Sequence, residues 1–374
     1  MMDGTLSAID QAAARANEFL LSLRVPGRDG AFRTSHAHDP GRWPGVLLPG
    51  TYDSLMALRL TGGIARLTAA DRRAAADLLK SFRRPDGSFW NPQYTAETTY
   101  KRPERAETDG YIRFHLTNYA LGALEALGDG EHPVLDFVRW ALDPDRVDQW
   151  LARRDMRDAW LEGNNVVNLA SFLLLFMRGG GSDANTARRS LARMVDWHHF
   201  NQEPATGFWG VGQTHSPTGH LHAMAGATHN FHLFYALGEP IPHHRPIVDY
   251  CLSLPTAASS ACIDVDVVDI LANFYVLHDY RRADIEGWLN GKLTALLAFQ
   301  NADGGFADTR EGVRRLDGWI NGYEEPQGLS NAFATYFRLI AIAMIDSIIL
   351  PGRRAWQFRR MIGIGYFPHH PSIP

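Results

Sequence analysis

Four stretches of this chain carry one pattern, a tight glycine turn followed at once by an aromatic residue, and that recurrence limits the fold more than any other feature. They are Gly27-Arg28-Asp29-Gly30-Ala31-Phe32, Arg84-Pro85-Asp86-Gly87-Ser88-Phe89-Trp90, Pro204-Ala205-Thr206-Gly207-Phe208-Trp209 and Asn301-Ala302-Asp303-Gly304-Gly305-Phe306. Each follows an apolar run with helical spacing and precedes, after a loop, a second run with an Ala/Leu-rich end such as Tyr119-Ala120-Leu121-Gly122-Ala123-Leu124. A glycine turn between two helical runs makes the repeating unit a helical hairpin.

The two helices of a hairpin differ. In the first, Thr68 and Asp71 form a capping-box start, and Ala75, Leu78, Leu79 and Phe82 then fall on one face while Arg72, Arg73 and Lys80 face water. Ile285, Trp288, Leu289, Leu293 and Leu296 repeat that stripe. The second helices are apolar nearly all round, which is the mark of burial on every side. They are expected at Asp53 to Leu60, Tyr111 to Leu127, Asn165 to Met177, Ala225 to Leu237, Val265 to Leu277 and Ser330 to Ile349. With outer helices near 8–23, 68–83, 133–153, 182–200, 245–254 and 282–300, there are six of each kind. Six pairs can close into a ring, so the expected fold is all-α, an (α/α)6 toroid in a single domain over 1–374, with about 352–374 a tail packing on it.

Links from inner to outer helices are short, whereas four links from outer to inner are long, at 26–50, 84–109, 201–221 and 301–327. Loops of that length usually carry function, and all four must lie at one end. That end also receives the N-termini of the inner helices, a mildly positive mouth.

Composition excludes several partners. A net charge of −4 with mixed signs gives no basic stripe for nucleic acid. Cys251 and Cys262 are the only cysteines, and Met1 to Leu20 lacks the pattern of a signal peptide, so the expected setting is a reducing cytoplasm. Ala334 to Leu350 is the most apolar stretch, but Arg338 and Asp346 interrupt it, as in a buried helix rather than a membrane span. Peripheral membrane contact and self-association stay open.

An outer helix, then Gln300 through Phe306 or Gln202 through Trp209, then a buried inner helix, resembles the Gln/Trp-type repeats of the squalene cyclase and protein prenyltransferase superfamily. The resemblance implies that Trp90 and Trp209 staple neighbouring hairpins. It also implies an isoprenoid cyclase, isomerase or (de)hydratase. The Asp-x-Asp-Asp run of the cyclases is approached only by Asp264-Val265-Asp266-Val267-Val268-Asp269, which spaces its third Asp differently, and the Asp/Cys/His zinc set of the prenyltransferases is not evident.

Polar residues interrupt the apolar inner helices at one level. They are Asp53; His115 and Asn118; Asn164, Asn165 and Asn168; His229, Asn230 and His232; Asp264, Asp266 and Asp269; and Ser330 and Asn331. A buried polar group must be hydrogen-bonded or wet, and six helices doing so together point to a cavity with a small, partly apolar substrate. Asp264 or Asp266 is the expected acid, its pKa raised by burial and by its neighbour, and His115 or His229 the expected base. Asn118, Asn164, Asn165, Asn168, His232, Asp269 and Asn331 are expected to bind substrate. No cofactor is expected, although His220 and His222 with an acid offer an unspecific zinc pattern. A carbohydrate-active hydrolase, lyase or epimerase using Asp53 and Asp266 is the second reading, and a non-catalytic toroid that binds a lipid or peptide is the third.

Overall fold

The structure, a computed structural model, describes residues 2–93, 108–129, 132–210, 217–310, 313–315 and 323–368. Parts of three expected long loops (94–107, 211–216, 311–312 and 316–322) and the last residues of the tail (369–374) lie outside them.

The described inner helices are α2 (Leu47–Leu60), α4 (Thr108–Ala126), α6 (Ala159–Gly179), α8 (Pro217–Leu237), α10 (Ala261–Leu277) and α12 (Ala332–Ile349). Each packs on the next, and α12 packs on α2, which closes the ring. Around them stand α1 (Met2–Ser22), α3 (Ala69–Ser81), α5 (Pro144–Ala152), α7 (Gly181–Asn201), α9 (His244–Ser253) and α11 (Arg282–Ala298). The (α/α)6 toroid is therefore present. The outer helix expected over 133–153 is split: a 3-10 segment, Asp136–Leu142, precedes α5, which Asp143 caps and Pro144 starts. A short antiparallel hairpin of β1 (Val313–Arg315) and β2 (Glu324–Pro326) was not foreseen. Among the described residues α12 is long and apolar enough to cross a membrane, and it is mostly buried within the ring.

The glycine turns act as plugs. Gly207 and Gly304 take φ of 74° and 91°, a left-handed region that favours glycine, and each turn drives its aromatic side chain inward. Phe32, Phe89, Phe208 and Phe306 are all buried. In three units the amide of that Phe donates to a threonine on the next inner helix: Phe32 to Thr51 at 3.1 Å, Phe89 to Thr117 at 2.9 Å and Phe306 to Thr335 at 3.0 Å. The glutamine before the turn ties units together. Gln202 donates to the carbonyls of Gly207 and Pro242, and Gln300 to those of Gly304 and Ala12. Trp209 donates to the carbonyl of His198 on α7 at 2.9 Å, so it ties the turn to the outer helix of its own hairpin rather than to a neighbouring one.

The C-terminal segment closes the end opposite the mouth. Trp356 donates to Asp346, the Gln357 amide to Leu60 at the end of α2, and Arg178 near the end of α6 to the carbonyl of Arg360. Trp356, Phe358, Ile362, Ile364 and Phe367 are buried beneath the ring.

Candidate active site

Helix α10 sorts its own carboxylates. At about 100° per residue, Cys262, Asp266, Asp269 and Asn273 share a face, and Asp264 lies on the reverse. There Asp264 accepts Lys292 Nζ at 2.8 Å, Arg338 Nη1 at 2.6 Å and Ser259 Oγ at 2.8 Å, with both cations and the carboxylate almost wholly buried. This corrects the expectation for Asp264: it clamps α10 to α11 and α12, and the helix N-cap is Ser260.

Asp266 is the opposite case. It is 1% exposed, and its side chain meets no hydrogen-bond partner among the described residues, Oδ2 being sealed from water. Burial first, and the charge of Asp269 second, push its pKa well above the carboxylate range. The repulsion expected from Asp264 thus comes from Asp269, one turn further along the same face. A protonated carboxyl with no internal acceptor is free to donate to a ligand.

Asp269 is engaged. It accepts His232 Nε2 at 3.0 Å and Asn273 Nδ2 at 3.1 Å, while His232 Nδ1 accepts the Gly363 amide at 3.1 Å. With Nδ1 accepting, the proton sits on Nε2 and the ring is neutral. His232 and Asp269, expected to bind substrate, anchor the C-terminal segment instead. Asn118 does the same, donating to the carbonyl of Ile362 and accepting from Arg359. Asn165 donates to Glu162, which forms a buried pair with Arg154, so it supports the wall. Asn331 caps α12 by accepting the Ala334 amide at 2.8 Å.

The remaining residues face the interior. His115 on α4 hydrogen-bonds the Asn164 side chain on α6 and stacks on Tyr119 with centroids 4.2 Å apart. Burial drives its pKa down to about 3, against the Asn164 bond, with help from the Arg359 charge. His229 on α8 also falls to about 3, through burial and then the proximity of His232 and His115. Helix α6 stands between α4 and α8 in the ring, so histidines that sense each other from α4 and α8 project inward. His115 and Asn164 keep 8% exposure and His229 keeps 5%, and His229 Nδ1 has no hydrogen-bond partner among the described residues. Asn168, one turn from Asn164 on the same face, leaves its Nδ2 without a hydrogen-bond partner among the described residues.

Below this level lies Tyr119, which the sequence reading missed although it is four residues from His115. Burial raises its phenol pKa, and Tyr336, Asp53 and Cys262 raise it further while Arg359 opposes them. Those groups come from α12, α2, α10 and the C-terminal segment, which puts Tyr119 on the ring axis. Asp53, also felt by Tyr336, faces the same space, in the second turn of α2 rather than at its start. The Arg359 guanidinium lies 5.6 Å from the Tyr119 ring.

His220 and His222 lie in the first two turns of α8, and they diverge. His220 stacks on Tyr250 at 3.8 Å, and His222 meets Trp160. Among the described residues no group of three or more His, Cys, Asp or Glu is placed to hold a metal. His198 is fully buried and bonds the carbonyl of Met194.

No family model matches the chain, and no curated protein matches it. Similar solved structures include two that span most of the chain. One is the GH76A alpha-1,6-mannanase from Salegentibacter sp. HEL1_6, at 11% identity and a TM-score of 0.47, covering 91% of this chain and 99% of that one. The other is a protein from Actinoplanes, at 16% identity and a TM-score of 0.45, covering 90% and 98%. Likeness at this level carries no argument about activity, and the toroid stands on the closure of α12 onto α2. The superfamily resemblance read from the Gln/Trp-type repeats gains no support from these comparisons.

Proposed function

We propose that the chain is an enzyme that performs acid–base chemistry inside the ring on a hydroxyl-rich ligand, a carbohydrate, as a hydrolase, lyase or epimerase. The observation that carries this reading is Asp266, a buried carboxyl whose pKa is pushed well above the carboxylate range and which meets no hydrogen-bond partner among the described residues. Asp266 gives its proton to the departing or migrating oxygen. His115 and His229, both held neutral by burial, are poor proton acceptors there and serve instead to accept hydrogen bonds from substrate hydroxyls. Where the bond is glycosidic, Asp53 supplies the second carboxylate, from the far side of α12. Asn164 and Asn168 offer amides to sugar hydroxyls.

A sugar is favoured over an isoprenoid by what lies beneath the polar level. A chain of methyl-branched hydrocarbon needs an apolar pit, whereas the phenols of Tyr119 and Tyr336 and the guanidinium of Arg359 lie there. The test is to incubate the protein with neutral and acidic oligosaccharides, a prenyl alcohol and a prenyl diphosphate, and to follow each by mass spectrometry. Conversion of an oligosaccharide, lost by about 10²-fold or more in Asp266→Asn, is the expected result. Turnover of the prenyl compounds alone would overturn the carbohydrate reading.

A further inference from the structure

The floor of the ring carries a cation that no carboxylate neutralises by contact. Arg359, in the C-terminal segment, is 7% exposed. Its Nη2 donates to the carbonyl and the side-chain oxygen of Asn118, while Nε and Nη1 are sealed from water and meet no hydrogen-bond partner among the described residues. The Tyr119 ring, 5.6 Å from the guanidinium, offers a π face but no charge. Asp53 and Glu125 stand near enough to act on Tyr336, as Arg359 does, yet neither forms an ion pair with Arg359 among the described residues. Glu125 accepts the Arg360 amide instead. A buried guanidinium so placed is costly until an anion joins it.

The turn that carries it is fixed in advance. The Arg359 amide donates to the Gly365 carbonyl at 3.1 Å, Asn118 Nδ2 on α4 to the Ile362 carbonyl at 3.3 Å, and the Gly363 amide to His232 Nδ1 on α8 at 3.1 Å. Glycines leave room around the head group: a Cβ on Gly122 would stand 2.9 Å from Nη2, and one on Gly363 3.1 Å from Nη1. Between Arg359, Gln357, Gly122 and Glu125 the void measures about 10 Å3. That is room for about one water, which brings no charge. On the other side the Arg359 charge is felt by His115, Tyr119 and Tyr336, so the guanidinium lies under groups that face the ring axis.

We propose that Arg359 ends a blind pocket and sets its specificity, with Nη1 donating to the carboxylate of a uronate that enters from the mouth. Nη1 carries two N–H groups, and a charge-assisted bond to a carboxylate is stronger than one to a neutral hydroxyl. Because the C-terminal segment closes the floor behind it, the acidic unit is a free sugar acid or the last unit of a chain, and not an internal one. The sugar rests on the carbohydrate reading above; the anion site rests on Arg359.

The experiment is calorimetric titration of the full chain with D-glucuronate, D-galacturonate and D-mannuronate, each as the free acid and as the end unit of a disaccharide, beside glucose, galactose, mannose and acetate. At least one uronate should bind about tenfold or more tightly than its neutral counterpart and than acetate, and the tighter of its two forms names the source. Arg359→Gln should bring that uronate and its neutral counterpart to the same affinity, and Arg359→Lys, which keeps the charge, should restore part of the difference. Neutral sugars should bind both variants as they bind the wild type, which loss of a merely structural residue would not give. The wild-type comparison needs no variant, so it decides the matter even if Arg359→Gln fails to fold. Neutral sugars bound as tightly as every uronate would overturn the proposal and leave the carbohydrate reading intact. Acetate bound as tightly as every uronate, or no sugar bound at all, would overturn both. An undiminished preference for the uronate in Arg359→Gln would overturn the assignment to Arg359.

Discussion

His232 donates to Asp269 at 3.0 Å through Nε2 and accepts the Gly363 amide at 3.1 Å through Nδ1, so one buried imidazole joins α8, α10 and the C-terminal segment. Replacing His232 with Phe keeps the bulk and removes both bonds, leaving Asp269 short of a donor in a dry site. Stability should fall by about 1–3 kcal/mol, and trypsin should cut sooner at Arg359 and Arg360. Unchanged cleavage kinetics would mean that the segment is held by its apolar side chains alone.

Asp264 and Asp266 lie two residues apart and should respond in opposite directions to the same change. Asp264→Asn leaves Lys292 and Arg338 buried with less counter-charge, and breaking such a pair costs about 3–5 kcal/mol. Asp266 has a raised pKa, so the folded protein holds a proton that the unfolded chain releases. Its contribution to stability is therefore lost as pH rises from the ordinary 3.8 through the folded value. Asp266→Asn removes that loss and should melt at or above the wild type at neutral pH while turnover collapses. Urea titration of both variants at neutral and acid pH tests this, and destabilisation of Asp266→Asn at neutral pH would count against a protonated carboxyl.

Most of the architecture was legible from periodicity because the repeats are self-consistent: the capping box at Thr68 and Asp71, the plugged aromatics and the all-apolar inner helices each report a local rule. The site was legible only by helix. Which polar side chain faces the axis depends on rotation about each helix and on partners far away in sequence. Asp264 finds Arg338, 74 residues on, and Asn118 finds Arg359, 241 residues on. The 100° rule applied to α10 would have separated Asp264 from Asp266 without a structure. Tyr119 could have been found the same way, four residues from His115 on α4, whereas Arg359 carried no such signal, because its place near the axis follows from the docking of the C-terminal segment.

Acid should unfold this protein through its buried histidines. His115 and His229 are held at about 3 and His198 at about 4, all from an ordinary 6.5 and all chiefly by burial. The unfolded chain therefore binds protons that the folded ring refuses, and stability falls as pH drops from about 6.5 towards 3–4. Replacing His115 and His229 with Gln should flatten that fall. If the double variant follows the wild-type profile between those limits, the two rings are already charged in the folded state.

The last hairpin meets the first through Gln300. Its Nε2 donates to the carbonyl of Ala12 on α1 at 2.8 Å and to that of Gly304 at 2.7 Å, and Arg15 adds a bond to the carbonyl of Asn301 at 2.6 Å. The two surfaces are close enough that a Cβ on Gly304 would stand 2.4 Å from the Arg15 carbonyl. Gln202 makes the equivalent pair of bonds at an internal seam, to Gly207 and Pro242. Gln300→Leu keeps the volume and removes the donor, so it should cost about 1–3 kcal/mol and open the seam at which the chain ends meet. Gln202→Leu should cost a similar amount, but there chain continuity limits how far the hairpins separate. Hydrogen exchange separates the two cases: protection in α1 should drop in Gln300→Leu and hold in Gln202→Leu. Equal protection of α1 in both variants would mean that ring closure rests on the packing of α12 against α2 and not on the glutamine staple.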